Sequence, residues 1–376
     1  MAGEAASALG LSMVVLAEHP DDAACEVASE VVLGSPFVAA DLRAIAARCD
    51  VLTFDHEQVD LDLVTQLESA GAVVVRPGAD TLGLAVDKAR MRSVLDDAGV
   101  PVPDYLVVDE GPEALDAVAS FAAAHGWPVM VKAARGGYDG KGVWPVADRA
   151  EAAAVLAGVT GQVVVEELLP LDAELAVMVA RRPSGASVAW PAVETAQVGG
   201  VCREVLVPGR LDSDVLEAAS ALGQKVAEIA GGVGVMAVEL FWSGGRLLVN
   251  EVATRPHNSG HWTMEGAVTS QFENHVRAVL DLPLGSTAPQ HLQVASVNVF
   301  GGSAGEDPAQ LLARGLGVEG AHVHLYGKSA RPGRKLGHVT VCGGEAEVVR
   351  SRAWAAAVAL GTPVPDGIDL PAGVLR

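Results

Sequence analysis

This chain is short of aromatic, sulfur-bearing and basic side chains, and each shortage narrows what it can be. Phe, Trp and Tyr supply 4% of its 376 residues although apolar types supply 50%. A core made mostly of alanine- and valine-type side chains suits α/β structure, and the length allows two or three domains. Cys25, Cys49, Cys202 and Cys342 are the only cysteines and form no Cys-x-x-Cys pair. Neither a zinc site nor a disulfide framework follows, and a reducing compartment fits. Lys and Arg number 26 against 47 Asp and Glu, a net charge of -21. A nucleic-acid partner would need a basic surface, so that class is set aside, and the acidic surface serves solubility. No apolar run is long enough for a membrane span, and no charged segment leading into an apolar one opens the chain. The expectation is a soluble, cytoplasmic protein with no membrane partner.

What is present concentrates in Val129-Met-Val-Lys-Ala-Ala-Arg-Gly-Gly-Tyr-Asp-Gly-Lys-Gly-Val143. It reads as a short buried strand ending at Lys132, a glycine-rich loop and a returning strand. Gly136, Gly137, Gly140 and Gly142 let the backbone take positive φ and turn successive N-H groups toward phosphate oxygens, while Lys132 and Lys141 add charge. A surface hairpin with a bulged glycine turn would fit the spacing as well. The loop is neither a Walker A loop nor a dinucleotide fingerprint, so a triphosphate held between strands is the sharper reading. Tyr138 and Asp139 at its tip have no purpose in a purely structural turn.

Along the chain, strand-like segments at 13–16, 31–33, 51–54 and 72–75 alternate with helix-like ones at 39–48 and 61–69. This is the pattern of a doubly wound parallel sheet. Residues 1–10 already look like a first helix, where a nucleotide-binding α/β domain usually places a strand and glycine turn first. A helix over 87–98 stops at Val100-Pro-Val-Pro103. Residues 104–190 then read as a small α+β lid, with helices at 112–125 and 149–156. A helix over 213–230 follows, then a hairpin of 234–242 and 246–251, a helix over 269–280, and a strand-rich region beyond 290.

Three further constellations carry chemistry. Period-two alternation in Met236-Ala-Val-Glu-Leu240 and Leu247-Leu-Val-Asn-Glu251 allows Glu239 and Glu251 to reach one face. Two adjacent buried carboxylates repel, and a divalent cation with hard oxygen ligands relieves that, which suggests Mg²⁺ bridging nucleotide phosphates, with Mn²⁺ as the alternative ion. A solvated hairpin face is the plain alternative. Thr254-Arg-Pro-His-Asn-Ser-Gly-His-Trp262 supplies donors from Arg255, His257, Asn258 and His261 for a small planar oxyanion, or else is a structural loop with satisfied histidines. Arg331-Pro-Gly-Arg-Lys-Leu-Gly-His338 is a basic turn in an acidic chain. It reads either as a second anion site, for example for a sugar phosphate, or as a solvated turn.

Together with Thr53-Phe-Asp-His-Glu57, these motifs make the chain from about residue 11 to 370 resemble the 5-(carboxyamino)imidazole ribonucleotide synthases, ATP-grasp enzymes of purine synthesis. Arg-Pro-His-Asn-Ser-Gly-His is the segment that separates this family from most ATP-grasp relatives. The resemblance implies an α/β protein with the ATP-grasp fold: an N-terminal doubly wound domain (1–86), an ATP-grasp domain (87–290, lid about 104–190) and a small β-rich C-terminal domain (291–376). It implies carboxylation of 5-aminoimidazole ribonucleotide with ATP and bicarbonate through carboxyphosphate, and favours a homodimer. By position, Lys88, Lys132 and Gly137, Tyr138, Asp139, Gly140, Lys141, Gly142 and Val143 would hold the ATP phosphates. Glu166, Glu167, Leu168, Leu169 and Glu174 would frame adenine and ribose, with Asn250 beside the nucleotide; Gln197 stands where a nucleotide-contacting His is common in the family. Glu239 and Glu251 would bind Mg²⁺, and Arg255, His257 and His261 would hold bicarbonate and carboxyphosphate. Tyr138 and Asp139 are the base candidates. Lys335 with Arg331 and Arg334 would meet a phosphate, and Glu57 the ribose hydroxyls. Family members open with a strand and a Gly-Gly-Gly-Gln-Leu-type turn that this chain lacks. The expectation is a start placed too far downstream or a truncated chain, with weakened substrate affinity.

Overall fold

A computed structural model describes residues 1–137, 140–302, 305–370 and 374. Tyr138 and Asp139, the expected base candidates, lie outside the described residues.

The N-terminal region runs α1 (Ala2–Ala8), β1 (Val14–Ala17), α2 (Ala23–Val27), β2 (Glu30–Leu33), α3 (Ala39–Ala46), β3 (Val51–Leu52), α4 (Leu61–Ala70), β4 (Val74–Val75) and α5 (Ala79–Val86). Each helix returns the chain so that the next strand runs the same way, and the pairing is parallel, β1 with β2 and β3 with β4. Among the described residues the two pairs are not hydrogen-bonded to each other, so the expected sheet is present as two parallel ribbons. α4 shows the local logic. The Asp60 carboxylate accepts from Asp62 N and Leu63 N, Gly71 ends the helix at φ 63°, and Val64 and Leu67 face the core.

Where a lid over about 104–190 was expected, a separate sheet follows α6 (Lys88–Asp97) and ends at residue 167, residues 173–189 joining the larger sheet instead. The lid comprises β5 (Tyr105–Val108), α7 (Ala114–His125), β6 (Val129–Ala133), β7 (Val143–Val146), α8 (Arg149–Gly158) and β8 (Val163–Glu167), in an antiparallel sheet ordered β5-β8-β6-β7. Val129, Val131, Val163 and Val165 pack on Val118, Ala122 and Ala152 of the two helices. The glycine loop is the β6–β7 connection.

The body is a nine-stranded sheet. Its strands and helices are β9 (Ala173–Arg181), β10 (Ser187–Ala189), β11 (Val193–Val198), β12 (Val201–Val207), α9 (Ser213–Ala230), β13 (Gly234–Ser243), β14 (Arg246–Ala253), α10 (Thr263–Gly266), α11 (Gln271–Val279), β15 (Gln293–Phe300), α12 (Leu312–Leu316), β16 (Ala321–Leu325), β17 (Lys335–Gly343) and α13 (Ala346–Ala359). The order is β14-β13-β9-β11-β12-β15-β17-β16, with β10 beside β9. The C-terminal strands therefore continue the body's own sheet through the β12–β15 pairing. The sequence pattern gave no sign of α13. Its apolar residues, mostly alanine, run round the helix without a stripe, burying Val349, Ala353, Trp354, Ala356 and Ala357. α13 is fastened to β12 by Glu204, which accepts from Trp354 Nε1 at 2.9 Å and Arg350 Nε at 2.8 Å. No described helix is long and apolar enough to cross a membrane.

Candidate active site

The β13–β14 hairpin sets Glu239 directly opposite Glu251, with a register shift immediately after Glu239. Side chains so paired have Cβ atoms roughly 5 Å apart and share a face. Burial, followed by the charges of Glu251 and Glu174, raises the Glu239 carboxyl well above its ordinary range, while a hydrogen bond from Gln197 opposes the shift. Burial likewise pushes Glu174, on β9, up to about 7. Lys88, at the start of α6, reaches Glu251 Oε2 at 3.2 Å. Glu174, Glu239 and Glu251 thus crowd three carboxylates into one place, and burial outweighs the lysine charges that act on Glu174 and Glu239. Among the described residues no group of three His, Cys, Asp or Glu could cage a metal alone. A divalent ion here would thus need oxygens from its nucleotide, which is how Mg²⁺ is ordinarily held.

Lys132 stands beside this pair and is tied down. Its Nζ is 2.7 Å from Glu166 Oε2 and 3.2 Å from Asn250 Oδ1. Glu166 in turn takes Arg92 Nε at 2.7 Å, and Arg92 NH1 donates to the Asn250 carbonyl at 2.6 Å. Burial would raise the Glu166 carboxyl, but Arg92 and Lys132 together hold it below its ordinary value. Arg92 is 1% exposed and was not anticipated. On α6 it sits four residues after Lys88, between Met91 and Leu95, where the pattern expects an apolar side chain. Glu166 was expected to frame adenine. Its carboxylate is committed to these two cations, which leaves its backbone for a base. Glu167 Oε1 similarly accepts from Asp104 N at 3.3 Å. Leu168 and Leu169 lie on the link between lid and body, Leu168 exposed.

Gly136, Gly140 and Gly142 take φ of 80°, 75° and 74°, as the loop reading required, whereas Gly137, expected among them, does not take a positive φ. Gly140 is backed by the β11–β12 turn. A Cβ on Gly200 would fall 2.7 Å from Gly140 Cα, so the two backbones meet where no side chain fits.

Beyond Glu251 the chain turns through Arg255, His257 and His261. Arg255 Nε is 2.7 Å from Glu57 Oε2, and Glu57 Oε1 accepts from Thr254 N at 3.1 Å. Both Glu57 oxygens are thereby engaged in holding the Arg255 loop, where a free carboxylate for ribose hydroxyls was expected. Gln271 brackets His257, accepting from its N-H at 2.8 Å and donating to its carbonyl at 2.7 Å. His257 Nε2 lies 3.6 Å from Glu239 Oε1, joining this loop to the carboxylate pair. Burial, with Arg255 and Lys335 adding repulsion, holds His257 well below its ordinary value. Burial and Lys335 do the same for His261. Lys335, at the start of β17, also acts on Glu239, so it belongs to the same cluster. Arg334 bends back to Ser329 Oγ at 2.7 Å, and Arg331 stays on the exposed turn. Cys202 beneath the cluster is kept a thiol, burial pushing it up to about 12.

The chain as a whole is similar to known proteins. Residues 1–86 match the ribonucleotide synthetase preATP-grasp domain, 93–272 the ATP-grasp domain and 295–352 the phosphoribosylaminoimidazole carboxylase C-terminal domain. An N5-carboxyaminoimidazole ribonucleotide synthase of Mycobacterium tuberculosis is 45% identical over 372 residues, 95% of this chain and 84% of that one. The chain belongs to the N5-carboxyaminoimidazole ribonucleotide synthase family. The synthetase of Thermus thermophilus superposes with a TM-score of 0.86 at 36% identity, over 97% of this chain and 96% of that one. The Aspergillus clavatus synthase, solved with ADP and 5-aminoimidazole ribonucleotide, gives 0.86 at 27% identity, over 96% and 95%.

Of the residues expected from the sequence, the fold brings together Lys88, Lys132, Glu174, Gln197, Glu239, Asn250, Glu251, Arg255, His257, His261 and Lys335. Besides Arg92 and Gln271, the motifs missed Tyr326, whose hydroxyl lies 3.1 Å from His261 Nδ1. A lone tyrosine ahead of a basic turn carries no signal of its own.

Proposed function

We propose that this synthase carboxylates the exocyclic amine of 5-aminoimidazole ribonucleotide, consuming ATP and bicarbonate and releasing ADP and phosphate. A bicarbonate oxygen attacks the γ-phosphorus and ADP leaves. Carboxyphosphate then breaks its C-O bond to give carbon dioxide and phosphate, and the amine adds to carbon dioxide and loses one proton. The carrying observation is adjacency: His257 Nε2 sits 3.6 Å from Glu239 Oε1, placing the oxyanion loop against the glutamate pair.

Glu239 and Glu251 suit Mg²⁺ carried in with the nucleotide, and the ion would neutralise phosphate charge as the γ-phosphoryl group transfers. Lys88 and Lys132 bind phosphate oxygens, Arg255 and Lys335 hold the bicarbonate charge, and the neutral His257 and His261 orient it. A site closed by the lid would slow hydrolysis of carboxyphosphate. The protein works in the cytoplasm as a homodimer in this reading. Leu33, Phe37 and Val38, at 57%, 56% and 45% exposure, leave an apolar surface on the N-terminal domain for a second copy.

The test is ADP release with each substrate omitted in turn, beside Glu251→Gln. Release should need both bicarbonate and ribonucleotide, and the variant should be inactive. ADP formation by Glu251→Gln at the parental rate would overturn the reading.

A further inference from the structure

His261 does not stand alone. Its ring stacks on His338 with centroids 4.5 Å apart, and His338 stacks on His324 at 4.7 Å. His324 Nε2 ends the column on Glu265 Oε1 at 2.6 Å. The Tyr326 hydroxyl sits between the first two rings, 3.1 Å from His261 Nδ1 and 2.8 Å from His338 Nδ1. His338 is fully buried, and its Nε2 has no hydrogen-bond partner. Among the described residues His261 Nε2 makes no hydrogen bond and His261 is only partly buried, so Nε2 is the ring nitrogen that Tyr326 leaves for a ligand.

A phenol has one proton to give. Burial holds His261 and His338 well below their ordinary value and raises Tyr326, so each ring carries one N-H and the phenol stays protonated. If Tyr326 donated to His338, that ring's N-H would be its buried, partnerless Nε2, and an orphaned buried donor is the costlier arrangement. The cheaper network runs the other way: His338 Nδ1-H donates to Tyr326, and Tyr326 donates to His261 Nδ1. The only proton left to His261 is then on Nε2.

We propose that His338, acting through Tyr326, is a positioning residue that locks His261 as the Nε2-H tautomer, so that an N-H donor rather than a lone pair meets the bicarbonate oxyanion. A lone pair at that edge would repel the anion that the N-H attracts. The part played by the anion rests on the function proposed above, whereas the tautomer does not.

The test is long-range ¹H-¹⁵N NMR of the full chain with ¹⁵N-histidine at neutral pH, with signals assigned through His261→Asn and His338→Asn. Protonated Nδ1 on His338 and protonated Nε2 on His261 are expected, and the reverse pair of tautomers overturns the proposal. In steady-state assays Tyr326→Phe and His338→Phe should raise the bicarbonate KM ~10–100-fold while the ATP KM moves less than about twofold. His338→Asn, which keeps a donor near Nδ1, should recover most of that loss. An unchanged bicarbonate KM in Tyr326→Phe overturns the proposal. Wild-type ADP release without bicarbonate would sink the proposed reaction instead, and the spectra would still decide the tautomer.

Discussion

Glu57 and Arg255 meet across the boundary between the N-terminal and ATP-grasp domains, Oε2 to Nε at 2.7 Å, with Glu57 also accepting from Thr254 N. One carboxylate thus fixes both the backbone and the guanidinium of the oxyanion loop. Glu57→Gln keeps the shape but loses the charge on Arg255. The bicarbonate KM should rise about tenfold, with ATP binding little changed; charge-assisted bonds of this kind are worth roughly 1.5–3 kcal/mol. Steady-state kinetics with bicarbonate varied would check it.

Arg92 offers a sharper contrast. It is 1% exposed and bonds Glu166 together with the Asn250 carbonyl. Arg92→Met leaves Glu166 buried with only Lys132 against it, and breaking a buried pair by removing one partner costs about 3–5 kcal/mol. Urea unfolding should show that loss. The ATP KM should rise as well, because Lys132 loses its fixed position.

The contact between the glycine loop and the β11–β12 turn admits no side chain. Gly200→Ala would put a Cβ 2.7 Å from Gly140 Cα and also strain a residue at φ 73°. The loop should be displaced, raising the ATP KM severalfold while the melting temperature falls only slightly, since both turns lie at the surface. Nucleotide titration calorimetry beside thermal melts separates the two effects.

Acid should loosen the seat of α11 on β13 through His275. Its Nδ1 accepts from Val235 N at 3.1 Å, so Nε2 carries the proton and donates to Thr53 Oγ1 at 2.8 Å. Burial lowers its pKa from 6.5 to about 4. A base with a depressed folded-state pKa stabilises the fold above its unfolded value and loses that contribution as pH falls from about 6.5 through about 4. The full span is worth about 3 kcal/mol. Urea midpoints measured across that window should fall for the wild type and less steeply for His275→Gln.

How much of this was legible beforehand depended on sequence distance. The glycine loop, the paired glutamates and the Arg255–His261 run are contiguous or a hairpin apart, so period and turn chemistry were enough to place them. Helix α13 was missed because alanine all round a helix leaves no stripe to read. The strand pattern beyond residue 290 did not reveal that those strands extend the body's sheet.

The sequence by itself determined which residue types carry chemistry and in what order they come, because those signals are local. Only the tertiary structure decided their partners. Arg92 finds Glu166 across 74 residues, His261 finds Tyr326 across 65, and Glu57 finds Arg255 across 198. Periodicity reports that a side chain is buried, but not against what, so the pairings that set charge and proton position here emerge only once the chain is packed.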